Sequence, residues 1–230
     1  FTVKAPGNEA IYVTIRKTGG LPVLFLQTES GSSAAIHADK SVQEPGRLIM
    51  TDADGNVLFR KDLSAVRARG NATFTYNKKP YQIKLEKPAA LIGDKEGRIW
   101  CLLASALDRS LIHNTLALDL ARYCGSFAYT PMTQPVDLYL NHDYKGTYIL
   151  TEKVQTGENR IAICELEEEI RDLNPSLDFA CLEAEGDPEY APGARKYRTF
   201  PTEPADYSGG YVLQINHPSR YDSEASGFVT

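Results

Sequence analysis

Cysteine is scarce in this chain, with four in 230 residues. Cys101, Cys124, Cys164 and Cys181 form no C-x-x-C and match no zinc-ligand spacing, which removes zinc-ribbon and thioredoxin-type chemistry. They read as small buried hydrophobes. A Cys164–Cys181 bridge is compatible with the sequence but not specified by it, so the redox compartment stays open. No apolar run approaches the roughly 20 residues a spanning helix needs. An excess of positive charge is also missing. The net charge of −5 argues against nonspecific nucleic-acid binding. There is no internal repeat. The chain begins at Phe1 without a methionine or a basic leader, so no signal peptide is visible, and it reads as a processed or engineered piece.

What is present is ordinary in amount and informative in order. A hydrophobic content of 42% with 24% charge suits a globular protein with a sizeable core. Ile11 to Ile15 alternates like a strand and is ended by Gly19-Gly20. Residues 1–20 are thus a lead-in strand or the end of a preceding module, and 21–230 form the main domain. Leu21 to Leu26 is a second strand, and the polar stretch 29–46 reads as a loop. Arg47 to Thr51 and Asn56 to Arg60 flank Asp52-Ala53-Asp54-Gly55, a hairpin signal. A strand near Ala65 to Arg69 runs into Gly70, and Tyr81 to Leu85 follows.

The period then changes. Apolar residues at Leu107, Leu111, Leu116, Leu118 and Leu120 predict one long helix over 107–123, with Asp108 as N-cap and Gly125 as its stop. Val136 to Leu140 and Tyr144 to Leu150 form a second hairpin across Asn141-His142-Asp143. Further on lie a strand at Arg160 to Cys164, an acidic helix at Glu165 to Arg171, a long loop at 184–207 and a last strand at Tyr211 to Ile215. The fold class expected is α+β: an antiparallel β-meander with one long helix.

The segment RARGNATFTYNKKPY, from Arg67 to Tyr81, carries the candidate chemistry. Arg67 and Arg69 alternate on one strand and so share a face, where two guanidinium groups can grip phosphate oxygens. Gly70 and Asn71 supply a turn whose backbone can approach a phosphate closely. Lys84, on the next strand between Ile83 and Leu85, can reach that phosphate as a point charge. The bland readings are cross-strand ion pairs for the arginines and a solvent-facing lysine at 84. Lys78 and Lys79 are rivals placed in a turn. Glu152 ends the second hairpin, where it either contacts a ligand or pairs with a basic residue. Asp137 and Asp108 read as structural, and Asn114 as polar satisfaction of the core.

Four pieces in order, the RGN-Ala-Thr turn, KKPYQIKL, Asp108 to Asn114 and DLYLN followed by Y-x-G-x-Y-x-L-T-E-K-V, resemble the spore-coat protein H (CotH) family of atypical kinase-like proteins. The resemblance runs from about Leu21 onward. It implies a protein-kinase-like N-lobe and hinge, with Arg67, Arg69, Gly70, Asn71, Lys84 and Glu152 around ATP, and Mg2+ as companion ion. It implies phosphate transfer to Ser/Thr of a protein substrate, at a spore coat or cell surface. Departures exist. Ala72-Thr73-Phe74 replaces a tryptophan context, His113 stands where the family has arginine, and Gln214 and Asn216 replace acidic positions. The family's metal-binding acids lie in segments expected beyond Thr230, so catalytic residues are expected there, none of the residues present is given a metal, and the piece alone is expected to be inactive. Apolar surface near Tyr211 to Leu213 and along the 107–123 helix is then expected to promote self-association. Two other classes remain: a noncatalytic surface-binding module of a spore-coat or secreted protein, and a carbohydrate-binding domain using some of the 13 tyrosines as platforms.

Overall fold

The computed structural model describes residues 2–3, 11–12, 19–125, 127–163, 172–173 and 175. The chain divides into two units, residues 1–155 and 156–230. In the first, β1 (Thr2–Val3) pairs antiparallel with β2 (Ile11–Tyr12). In the second, residues 156–163 form a short loop closed by a bridge between Thr156 and Ile161. The expected helix at 165–171, loop at 184–207, strand at 211–215, Gln214, Asn216 and the Cys164–Cys181 pairing lie outside the described residues, and the described part of the expected strand at 160–164 forms only the Ile161 bridge.

Seven strands carry the first unit: β3 (Val23–Thr28), β4 (Glu44–Thr51), β5 (Val57–Ala68), β6 (Tyr81–Ala89), β7 (Gly97–Leu103), β8 (Thr133–Leu140) and β9 (Asp143–Glu152). They close into a barrel in the order β3-β4-β5-β6-β7-β9-β8. Neighbours pair antiparallel except at the closure, where β3 lies parallel to β8 from Val23 opposite Asp137 to Leu26 opposite Leu140. β5 is long enough, at 12 residues, to pair with β4 along its first part and β6 along its last. A register shift between Leu63 and Ala65 adds the bend that closure requires. The β8–β9 turn places Asn141 at φ 49° and His142 at φ 73°, the doubly left-handed geometry that matches strand twist in two-residue hairpins.

Alternation fills the interior. Leu24, Leu26, Leu48, Met50, Leu63, Val66, Ile83, Leu85, Trp100, Leu102, Val136, Leu138, Leu140, Tyr148 and Leu150 are buried in one core. Each large apolar side chain of this kind contributes about 1.5–3 kcal/mol on burial. One barrel end is stopped by α1 (Ala34–Ala38), whose Ile36 is fully buried.

The expected α+β kinase-like N-lobe is therefore corrected. The first unit is mostly sheet, closed on itself, and among the described residues only α2 (His113–Cys124) is a helix of seven residues or more. Alternation revealed β3, β4, β6, β8, β9 and two pieces of β5, but β7 ends in a continuous apolar run that was not among the expected strands, and the parallel contact of β3 with β8 joins segments more than 100 residues apart and leaves no local trace. The stretch 29–46, expected as a loop, contains α1 and the start of β4. The helix is also shorter than 107–123. Ser105 at φ 45° and Leu111 at φ 62° hold 105–112 out of helical geometry, although α2 does stop at Gly125 in left-handed conformation.

Candidate functional site

Strand register assigns the candidate residues to faces. Ala65 opposes Lys84, Arg67 opposes Gln82, and Ala68 opposes Tyr81. Tyr81 and Ile83 point into the core, so Arg67, Gln82 and Lys84 point outward. Across the next pairing, Gln82 opposes Cys101 and Lys84 opposes Ile99. Lys153 lies beside Ile99, whose carbonyl accepts its N–H at 3.4 Å. Arg69 continues the Arg67 row, its N–H bonded to the Pro80 carbonyl at 2.9 Å. Four cations, Arg67, Arg69, Lys84 and Lys153, thus share the outer face of β5, β6, β7 and the end of β9. Among the described residues none of the four is in an ion pair.

Cys101 lies on this face. It is only 2% exposed, and burial pushes its thiol pKa up, while the positive charges of Arg69, Lys153 and Arg67 oppose the shift. Three of the four cations are therefore within electrostatic reach of one point. Arg67 is held there by Gln82. With the amide oxygen turned toward the guanidinium, it accepts from Nε and Nη2 at 3.2 Å each. A neutral partner orients the arginine without cancelling its charge.

The Gly70 turn sits at the edge of this face. Gly70 has φ 96°, the left-handed region that favours glycine, and a Cβ there would also meet Thr73 Oγ1. Ala72–Thr75 forms a short 3-10 turn. Asn71 does not face the cations freely, since its Oδ1 accepts from Lys40 Nζ at 3.3 Å. Arg69, Thr73 and Tyr76 line a cleft of about 300 Å3 together with Leu103, Asp108 and Asn114. Ser105, also at its wall, has a buried hydroxyl without a hydrogen-bond partner.

Asp108 organises the loop before α2. Its Oδ1 accepts from the Ser110 hydroxyl at 2.6 Å and the Ser110 N–H at 2.9 Å, and Oδ2 accepts from the His113 N–H at 3.0 Å. The Ser110 hydroxyl and then the His113 N–H hold its carboxyl at about 2. His113 Nδ1 adds a contact at 3.1 Å.

Glu152 is set apart from the other candidates. It opposes Trp100 in the β7–β9 ladder and alternates with Lys153, so it points to the other side of the sheet. Its Oε2 accepts from Tyr129 Oη and the Met132 N–H, both at 3.1 Å. It lines a separate cleft with Asp94, Lys95, Arg122 and Phe127. Of the rival lysines, Lys78 lies 4.7 Å from the Tyr148 ring centre and Lys79 lies 4.4 Å from that of Phe74. Asp137 accepts from Tyr144 Oη and Thr147 Oγ1 at 3.0 Å each, which makes it structural.

The structure thus gathers Arg67, Arg69 and Lys84, places Gly70 and Asn71 at their edge, and leaves Glu152 elsewhere. Sequence reasoning missed Lys153, Thr73 and Tyr76. Lys153 was legible only as an alternation partner of Thr151, because its place beside Lys84 depends on β9 pairing with β7. Among the described residues no helix is long and apolar enough to cross a membrane.

No match was found among curated proteins. A family model described as "CotH kinase protein" matches residues 66–217, a span that takes in Arg67 at the end of β5, the Gly70 turn, β6, β7, α2 and the β8–β9 hairpin. The chain belongs to the CotH family.

Proposed function

We propose that the outer face of β5, β6 and β7 binds the phosphates of ATP, and that the protein transfers a phosphoryl group to Ser or Thr of a protein acceptor, of spore-coat or surface type. The observation that carries the reading is the set of four outward cations without an ion pair among the described residues. Cations brought together without counter-charges repel one another, and a polyphosphate relieves that repulsion. The turn at Gly70 offers backbone beside the same face, as close approach to a phosphate requires. Arg67 and Arg69 grip oxygen atoms and Lys84 supplies a point charge. Among the described residues no three His, Cys, Asp or Glu side chains gather to hold a metal ion. Mg2+ arriving with the nucleotide is held mainly by its phosphates and water.

Calorimetric titration with Mg-ATP tests this. Lys84→Ala and Arg67→Ala each remove a charged contact worth about 1.5–3 kcal/mol, so each is expected to weaken binding about tenfold or more. Unchanged binding in both variants contradicts the assignment. The transfer step is tested separately, with the full-length protein, labelled ATP and a Ser-rich acceptor.

A second reading is a noncatalytic binding module. It is favoured by α2, where Leu116, Leu120 and Tyr123 repeat on one side and are 60%, 57% and 88% exposed.

A further inference from the structure

The end of the barrel near the Gly70 turn holds a polar network that the phosphate reading does not use. On α1, Ile36 is fully buried and anchors the helix in the core. The next residue, His37, contacts Tyr81 Oη through Nε2 at 2.8 Å, with the two rings stacked at 5.8 Å. Tyr81 is the first residue of β6 and is 1% exposed. It packs against Tyr148 at 6.0 Å, and Tyr148 Oη donates to the Lys79 carbonyl at 2.9 Å. Lys79 Nζ donates to the Phe74 carbonyl, inside the Gly70 turn. A second tie runs outside this path, from Lys40 just beyond α1 to Asn71. α1 is therefore joined to residues 71–76 through two routes, one through aromatic hydroxyls and one through a surface lysine.

We infer that α1 is a pH-sensitive latch on the Gly70 turn, with His37 as the group that titrates. The groups around His37 set the sign. From the β6 side it meets the Tyr81 hydroxyl and, just before the strand, Lys79. From β9 it meets the field of Lys145. Lys78 and Tyr148 stand behind Tyr81. The nearby carboxylates are engaged: Asp143 holds Lys145 at 3.3 Å, and Asp39 accepts the Ser41 N–H at 2.7 Å. Burial first, then Lys79 and Lys145, lower the His37 pKa below its usual 6.5. The latched state thus disfavours the imidazolium. An undocked α1 removes the burial and the two lysines, so it takes up the proton more readily. The latch is fully present above pH 6.5 and weakens as the pH falls through the lowered value. Only the last step, an effect on ligand binding, rests on the phosphate reading.

The test is hydrogen exchange of the 230-residue protein at pH 7.5 and pH 5, corrected for the intrinsic rate at each pH. His37→Gln keeps a hydrogen-bonding side chain that does not titrate. In the unaltered protein, protection of residues 34–38 and 70–76 is expected to fall together, several-fold, at pH 5. In His37→Gln it is expected to change little. Equal acid responses in the two proteins overturn the proposal, and so does loosening of 34–38 without 70–76. Inorganic triphosphate titrated into both proteins at both pH values gives the second readout. The unaltered protein is expected to lose affinity in acid relative to His37→Gln. If triphosphate binds neither protein at either pH, the phosphate reading fails while the exchange result still decides the latch. If it binds and the two proteins respond to acid alike, the link from latch to site is overturned.

Discussion

At the scale of single residues, Gly70 and Asp108 hold the two loops that line the larger cleft. Gly70→Ala forces a Cβ into Thr73 at a backbone angle unfavourable to other residues. Strain of that kind costs of order 1–3 kcal/mol, and the Thr73 hydroxyl must also turn away from the added Cβ. Thermal unfolding of Gly70→Ala is expected to show a clear drop in midpoint, whereas Gly55→Ala, where a Cβ meets open space, serves as a control for the positive φ alone. Asp108 acts at a distance along the chain, capping His113 from five residues upstream. With its carboxyl near 2 against 3.8 in an unfolded chain, its contribution is full above about pH 4 and is lost as the pH falls toward 2. Asp108→Asn is expected to reduce helical circular dichroism at neutral pH and to flatten its acid dependence between pH 4 and 2. An unchanged acid profile shows that other groups carry it.

At the scale of elements, α2 is unusual in burying none of its residues, although apolar side chains repeat along it. An amphipathic helix draws most of its stability from packing, so this stripe favours association. Sedimentation at several concentrations is expected to show a concentration-dependent species, and the exposed double variant Leu116→Lys with Leu120→Lys is expected to remove it. A strictly monomeric parent protein contradicts the expectation. Most of the strands were legible in the sequence, with β7 the exception. The Asp52–Gly55 and Asn141–His142 turns carry turn chemistry, and outward Arg67 and Lys84 follow from alternation against inward Val66 and Ile83. What was hidden was partnership. No periodicity in Val23 to Leu26 announces a parallel contact with β8, and none in Leu150 to Lys153 announces that β7, not β8 alone, lies beside it. The extent of α2 was misread because apolar spacing at Leu107 and Leu111 suggested helix, while Asp108 bonds its own neighbours in a non-helical loop.

At the scale of the whole barrel, closure decides which side of each strand is exposed. An open meander would let Arg67 and Lys84 be ordinary surface cations on either face. The closed sheet instead commits one face to the core and gathers the cations on the other, with Lys153 brought in by β9. It also separates Glu152 from them, which the chain order alone did not reveal. The measurement that tests this account most directly is a crystal structure of the protein with a nonhydrolysable ATP analogue. The account predicts phosphate oxygens about 3 Å from the guanidinium groups of Arg67 or Arg69, on the Lys84 side of the sheet. Phosphates bound in the Glu152 cleft, or anywhere on the opposite face, contradict it.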